Sequence, residues 1–424
     1  MSREMKESGI GWVGVIPQDW NTIRGKYLFE NDKDIVGSRV EDFERLALTM
    51  QGVIKRSKDD NEGLQPDKFD SYQILRENEL VFKLIDLQNV STSRVGLSPY
   101  TGIVSPAYII LKAKKDIAPR FAEYYYLMMW MRAIFNQLGD AGVRSSLNAG
   151  ELLELSLPLP PLSEQHRITD FLDKKCSQID EISMKIQEEI ETLEEYKKSV
   201  ITEAVTKGLD PSVEMKDSGI EWLGIIPSKW ELRRISNVFA ERNEEGEEGL
   251  PFLSVSINTG ISDKELSENE LSRQFIRADA HKNKRVYPGD IVYNMMRAWQ
   301  GAIGAVRIEG MVSSAYVTAK PITEIDTRYF EYLLRTPTAV QEMNKYSYGI
   351  MDFRKRLYWP YFKNITICVP PFYEQKAIAD YADGISLKVN SCITIKNYQL
   401  AILEEYKKAL IFEYVTGKKE VAYA

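Results

Sequence analysis

The sequence predicts an α+β protein built twice: two globular α+β modules, each followed by a long coiled-coil helix, related as an internal repeat. Three observations predict it. A Trp-containing box recurs 210 positions apart, and the same offset returns at the end of each half. Each half also closes in a charged stretch carrying an apolar stripe at helical spacing.

The first element is the box. KESGIGWVGVIPQDW from Lys6 matches KDSGIEWLGIIPSKW from Lys216, with Trp12 on Trp222, Pro17 on Pro227 and Trp20 on Trp230. At the far end Pro160, Pro161, Glu164 and Gln165 fall on Pro370, Pro371, Glu374 and Gln375, and LEEYKK at Leu193 falls on LEEYKK at Leu403. Agreement between these blocks is poor, although VSPAY at Val104 echoes VSSAY at Val312, and NELVF at Asn78 echoes GDIVY at Gly289. Each half is a variable module between fixed boundaries. The divisions fall at 1–160 (first module with its Trp box), 161–210 (first long helix), 211–370 (second module with its box) and 371–424 (second long helix).

Short β-branched and aromatic runs such as YIILKA at Tyr108 and AIGAVRI at Ala302 predict strands inside the modules, and RFAEYYYLMMWMRAIF at Arg120 predicts an amphipathic helix. After each Pro-Pro stop a helix begins, the first with Ser163 placed to cap it. Ile179, Ile182, Ile186, Leu193, Tyr196 and Val200 form a coiled-coil stripe, and no Pro or Gly interrupts the segment before Gly208. At about 1.5 Å per residue, 164–205 spans roughly 63 Å. The second stripe is Val389, Cys392, Lys396, Leu403, Tyr406 and Leu410, with Lys396 a polar interruption. Such stripes are most economically buried against each other.

Composition excludes several classes. At about 150 residues per domain, 424 residues predict several domains. Hydrophobic content of 44% and charged content of 28% exclude wholesale disorder. No run reaches the roughly 18 apolar residues of a membrane helix, and the first residues lack the apolar stretch of a signal peptide, so a cytoplasmic protein without membrane contact is expected. Cys176, Cys368 and Cys392 are too scattered for a disulfide framework or a zinc site, and His166 and His281 offer little material for a metal site or nucleophilic triad. The net charge of −7 argues against a generic nucleic-acid coat. By segment, 21–160 has 18 basic and 19 acidic residues, 231–370 has 19 and 18, and 161–210 has 7 and 12, so the first helix carries the acidity and the modules are balanced.

Catalytic motifs are missing. Gly9, Gly11 and Gly14 spell G-x-G-x-x-G but lack the flanking strand and helix of a dinucleotide site, and the second copy has Glu221 in the middle. The Pro-Pro turn at Val369 lacks the Asn or Asp that an amino-methyltransferase loop requires. No P-loop or nuclease carboxylate pattern is present, and neither a catalytic residue nor a cofactor site is expected. Trp12, Trp20, Trp222 and Trp230 read as core anchors in preference to ligand-stacking rings, and His166 as a helix-surface residue. Three local basic clusters are candidates for phosphate or base contact, the alternative being solvated loops: Lys55, Arg56 and Lys58; Lys282, Lys284 and Arg285; and Arg354, Lys355 and Arg356. The last matches Arg144, Ser145 and Ser146 at the repeat offset, each in a Gly-containing loop.

A Trp-x-Gly-x-Ile-Pro-x-x-Trp box, a variable module, a Pro-Pro-x-x-Glu-Gln turn and a long helix, all present twice, resemble the specificity subunit of type I restriction-modification enzymes over essentially the whole chain. MRAWQGAIGAV from Met296 is similar to that family's second recognition module, which adds Arg297 and Gln300 as candidate DNA contacts. The resemblance implies two target recognition domains separated by a pair of antiparallel coiled-coil helices in pseudo-twofold relation. These would read a bipartite, asymmetric double-stranded DNA target. It implies a chain without its own catalysis, on which two methyltransferase subunits dock to methylate adenine N6 and to which motor-nuclease subunits add ATP-dependent cleavage. S-adenosylmethionine, ATP and Mg would be bound by those partners. Glu164, Gln165, Glu374 and Gln375 are candidate partner contacts, the alternative being helix capping and turn packing. A coiled-coil scaffold that does not touch DNA is the rival reading.

Overall fold

A computed structural model describes residues 3–60, 68–87, 94–138, 146–257, 259–262, 280–349 and 355–422. The chain divides into two compact units, residues 1–186 with 397–424, and residues 187–396.

In the first unit the Trp box is a hairpin, Met5–Glu7 against Val15–Pro17. Gly9 and Gly14 take φ of 74° and 72°, the left-handed region that glycine adopts without steric cost. Ser8 Oγ accepts from Ile10 N at 3.0 Å and ties the turn. The second box repeats this with Met215–Asp217 against Ile225–Pro227, and with Gly219 and Gly224 again left-handed. The middle glycine has no such demand, which is why Glu221 serves in the second copy. The G-x-G-x-x-G pattern is a turn requirement.

Each module is clipped shut by its own ends. Asn21–Arg24 pairs antiparallel with Ser156–Leu159, and Glu231–Arg234 with Thr366–Val369, at equivalent register. Inside the first module lie two four-stranded sheets. One is ordered Gly52–Arg56, Arg45–Thr49, Gly102–Val104, Gln73–Leu75; the other Phe29–Glu30, Ile109–Ala113, Leu80–Phe82, Val95–Leu97. The second module has a four-stranded sheet ordered Phe239–Arg242, Tyr316–Pro321, Ile291–Asn294, Ile303–Ala305, and the hairpins Val255–Ser256 with Gly260–Ile261 and Lys284–Val286 with Gly310–Val312. The expected strands at YIILKA and AIGAVRI are present.

Helix α1 (Pro119–Met131) was expected to be amphipathic but is buried on most sides: Phe121, Ala122, Tyr124, Tyr125, Tyr126, Met128 and Met129 all enter the core. Its Glu123 caps a strand end, accepting from Leu97 N at 2.9 Å. The second module's counterpart on α3 (Thr327–Leu334; α2 is the first long helix, below) is Glu331, which accepts from Ala305 N at 3.2 Å. Burial pushes the Glu331 carboxyl above the usual carboxylate range, with Arg335 and Arg307 pulling the other way.

The long helices are α2, Leu162–Lys207, and α4, Phe372–Val415. Each starts on the turn proline: Glu164 N and Gln165 N donate to Pro161 O, and Glu374 N and Gln375 N to Pro371 O. Ser163 lies inside the helix and is not its cap, because the Pro161 carbonyl already anchors that turn. The helices run antiparallel. Within the first unit Phe171 stacks on Tyr414 and Lys407 reaches Asp180 at 2.6 Å; within the second Lys197 reaches Asn390 at 2.9 Å and Lys396 pairs with Glu189. Higher numbers on α2 meet lower numbers on α4 in both units.

Burial fixes the seam as two heptad lines. On α2 these are Leu172, Ile179, Ile186, Leu193 and Val200, and Cys176, Ser183, Ile190, Lys197 and Ala204. Four of the six expected positions, Ile179, Ile186, Leu193 and Val200, lie on the first line. Ile182 and Tyr196 point outward, 47% and 52% exposed, because the second line runs one residue later. On α4 Val389, Lys396, Leu403 and Leu410 hold one line as expected, whereas Cys392 and Tyr406 are exposed and Ile393 and Lys407 take the other. The seam lysines lie along the partner helix and carry their ammonium groups to acids or an amide at the edge.

The helix ends join the module cores. Leu410, Ile411 and Val415 share a core with Trp20 and Phe121 in the first unit, and Ala204 and Val205 share one with Trp222, Trp230 and Tyr329 in the second.

Candidate nucleic-acid interface

The strand Ile291–Asn294 delivers the chain into a tight loop, Met295–Gln300, before Ile303–Ala305 returns. The loop is built from its own residues. Asn294 Oδ1 accepts from Met296 N at 3.0 Å, Trp299 Nε1 donates to Met296 O at 2.9 Å, and Gln300 N donates to Arg297 O at 2.9 Å. Gly301 closes it at φ 94°. Ala298 is buried as the anchor, which turns Met296, Arg297 and Gln300 outward.

A second segment comes alongside. Tyr348 and Arg356 exchange backbone hydrogen bonds at 3.0 and 2.9 Å, and Leu357 N donates to Met295 O at 2.8 Å, fastening this bridged pair to the loop. Lys355 lies 5.8 Å from the Trp299 ring centre and donates to Asn344 at 3.2 Å, while Tyr348 stacks on Tyr361 at 4.4 Å. Arg297, Gln300, Lys355 and Arg356 are thus brought into one patch with three aromatic rings. Arginine and glutamine can each make paired hydrogen bonds to a base edge, and lysine neutralises phosphate. The aromatic members Trp299, Tyr348 and Tyr361 were missed; turns and helices of a few residues are too short for periodicity to mark their rings. Arg354 lies outside the described residues.

The first module repeats the arrangement. Lys83–Leu87 follows the equivalent strand, and Leu147 N donates to Leu84 O at 2.9 Å just as Leu357 N does to Met295 O. Asn78 and Gly289, at the turn before each strand, both have positive φ, so the weak NELVF and GDIVY echo marks a real equivalence. Ser146 is exposed just before Leu147, and Asn148 with Glu151 forms a capping box; Arg144 and Ser145 lie outside the described residues.

The other basic clusters are engaged within the chain. Lys55, on an edge strand, pairs with Glu44 at 2.5 Å, Arg56 with Asp60 at 2.5 Å, and Lys58 with Glu41 at 3.3 Å. In the separate Lys284–Val286 hairpin Arg285 pairs with Glu309 and Glu247, burial lowers the Lys284 pKa, and Lys282 is exposed on a short turn. Exposed ion pairs are worth about 0–1 kcal/mol, so phosphate could exchange into them.

The Glu-Gln turns are interior. Gln165 is fully buried: its Oε1 accepts from Ala118 N at 2.7 Å and its Nε2 donates to Pro160 O at 2.9 Å and Asp116 O at 3.1 Å. Gln375 accepts from Asp326 N at 3.0 Å and donates to Pro370 O at 2.8 Å. Glu164 is buried against Trp20 Nε1 at 3.0 Å and Arg3 at 2.6 Å. At Glu164, Gln165 and Gln375 these contacts form a structural joint and support the turn-packing alternative over the partner contact. Glu374 keeps an exposed portion. Beside each joint a matched cluster pins the module helix to the long helix: Arg120 and Tyr124 on Asp173, and Arg328 and Tyr332 on Asp383.

The fold and its loops define a duplicated, helix-mounted module protein that presents unlike side chains at like positions. Residues 44–192 and 227–404 match the family described as the type I restriction modification DNA specificity domain, and the chain belongs to that family. It is similar to the MjaX specificity subunit of Methanocaldococcus jannaschii, 25% identical with 96% of both chains covered. It also resembles the type I restriction enzyme MjaVIII specificity subunit of the same organism, 26% identical over 82% of this chain and 80% of that one. A chain from a solved structure concerned with complex assembly and conformational transition of the type I R-M system shares the fold, with a TM-score of 0.69, 14% identity, and coverage of 95% of this chain and 99% of that one. No helix among the described residues is long and apolar enough to cross a membrane.

Proposed function

We propose that the chain is the non-catalytic, DNA-reading subunit of a type I restriction-modification assembly. Each module reads one half of a split double-stranded target, and partner methyltransferase subunits, held by the chain, modify adenine N6; motor-nuclease subunits cleave unmodified DNA. One observation carries this reading: equivalent loops, fastened by equivalent hydrogen bonds, present Lys83–Leu87 in one module and Met295–Gln300 in the other. A pure scaffold has no use for such divergence, whereas unequal surfaces on equal frames give an asymmetric target.

Side chains presented from the loops supply base contacts, and neighbouring cations supply register through phosphate. With basic and acidic residues nearly balanced in each module, the chain alone binds DNA weakly, and partner subunits add phosphate contacts. Partner docking is assigned to exposed helix faces in place of the buried turns: Tyr398, Ile402 and Tyr406 on α4 in the first unit, and Leu387 and Ile395 on α4 in the second. Genome-wide mapping of N6-methyladenine with and without this gene, in a host carrying the methyltransferase partner, tests the reading. Loss of one bipartite asymmetric motif is expected; unchanged methylation would refute it.

A further inference from the structure

In the first module every carbonyl from Lys83 to Leu87 accepts a hydrogen bond. Arg94 donates to Lys83 O at 3.3 Å, Ile85 O at 2.9 Å and Asp86 O at 2.6 Å. Leu147 N donates to Leu84 O at 2.9 Å, and Asn136 Nδ2 to Leu87 O at 2.8 Å. Carbonyls gathered this way need matched donors, and a single planar guanidinium that serves three fixes their spacing. Asp86 is held at φ 52°, in the left-handed region that aspartate visits more readily than most residues with a Cβ. Arg94 is 2% exposed. Burying that charge is costly, and an apolar residue would fill the space more cheaply. What the guanidinium provides is a loop shape.

The second module supplies the comparison. Lys83 N donates to Arg94 O, and at the same place Asn294 N donates to Ala302 O, so Ala302 stands where the first module has Arg94. There the loop is shaped by Asn294 and Trp299. Two loops in one structural position therefore have separate internal braces. We propose that Arg94 is a positioning residue for DNA recognition by the first module, shaping Lys83–Leu87 so that Lys83, Ile85 and Asp86, which remain accessible, meet the DNA half-site. This rests on the reading that these loops touch DNA.

The test uses the full chain co-expressed with a methyltransferase subunit, and scores binding to a duplex library randomised at both half-sites. Arg94→Met and Arg94→Lys are compared with Leu46→Ala, a core truncation elsewhere in the same module. Asn136→Ser, which releases only Leu87 O, provides a milder variant. Arg94→Met is expected to lose at least about tenfold in affinity and to relax base preference in one half-site only, with Arg94→Lys intermediate and Asn136→Ser smaller in the same direction. Leu46→Ala is expected to lower the melting temperature while leaving base preference intact. If Arg94→Met fails to fold, Arg94→Lys and Asn136→Ser decide. Unchanged preference in the Arg94 variants, or an equal change in Leu46→Ala, overturns the proposal. Arg297→Ala with Gln300→Ala tests the underlying reading: if these relax the other half-site while the Arg94 variants change nothing, the proposal fails alone. If neither loop alters preference, the reading fails with it.

Discussion

Replacing Gln165 by Leu removes three hydrogen bonds and fills their place with a side chain that makes none. The Ala118 N–H and the Pro160 carbonyl are left buried and unpaired, and the Asp116 carbonyl partly so. At about 1–3 kcal/mol for each stranded buried group, the loss is about 3–5 kcal/mol, a large part of the stability of an ordinary domain. Gln375, with one fully buried bond and one partly buried, should cost about 2–4 kcal/mol. Amide hydrogen exchange read by mass spectrometry separates the two units. Gln165→Leu is expected to speed exchange in α1 by roughly a hundred- to several-thousand-fold while leaving α3 unchanged, and Gln375→Leu to do the reverse. If Gln165→Leu left protection of α1 within about threefold yet abolished co-purification with a methyltransferase subunit, the amide would face a partner and the packing argument would be wrong.

Other expectations follow from the same geometry. Arg297→Ala and Gln300→Ala should each cost about 1–3 kcal/mol of DNA binding at one half-site, whereas Lys355→Ala should weaken binding evenly and lower the salt slope by about 1, all measured by titration at several salt concentrations. Because the folded pKa of Glu331 is raised, its contribution is fullest below about 4.5 and declines as pH climbs toward the raised value; urea unfolding should show wild type losing stability relative to Glu331→Gln across that window, and a flat difference would contradict it. Trp20→Phe gives up a hydrogen bond to Glu164, but Trp230 Nε1 has no partner among the described residues, so Trp230→Phe should be milder by about 1–2 kcal/mol in thermal unfolding. Gly9→Ala should cost about 1 kcal/mol or more and Gly11→Ala little, since only Gly9 has positive φ; equal melting shifts would rule this out.

The repeat, the two long helices and the box were legible because they depend on local signals: turn glycines, prolines and apolar spacing. The seam was read with an error because hydrophobicity is a poor guide where lysines lie along a groove and tyrosines face water; Lys197 and Lys407 are inside the pattern and Tyr196 and Tyr406 outside it. For Gln165 partner contact and turn packing both stayed open for a related reason, since a polar side chain announces its burial only through distant backbone partners. Of the interface, Arg297, Gln300, Lys355 and Arg356 converge as side chains, but that convergence depends on contacts between segments far apart in sequence, among them the bond from Leu357 N to Met295 O and the Lys355 ammonium over the Trp299 ring. Arg94 carried no motif, and only the partners of its guanidinium reveal its role.

The antiparallel clip that closes each module has a consequence for inheritance. Strands paired side by side lie about 4.8 Å apart, so the chain leaves each long stretch of variable sequence almost where it entered. Lengthening or shortening the stretch displaces nothing beyond the clip. The repeat itself records this: the offset is 210 at the clip, drifts to 208 between Val104 and Val312, and is 210 again at Pro160 and Pro370. A lineage can therefore accumulate insertions, deletions and wholesale replacement within the closed segment while the Trp box, the proline turn and the helix seam remain under their own constraints. Recombination that cuts at the box and at the turn needs to match only short flanking sequence to deliver a foldable chain.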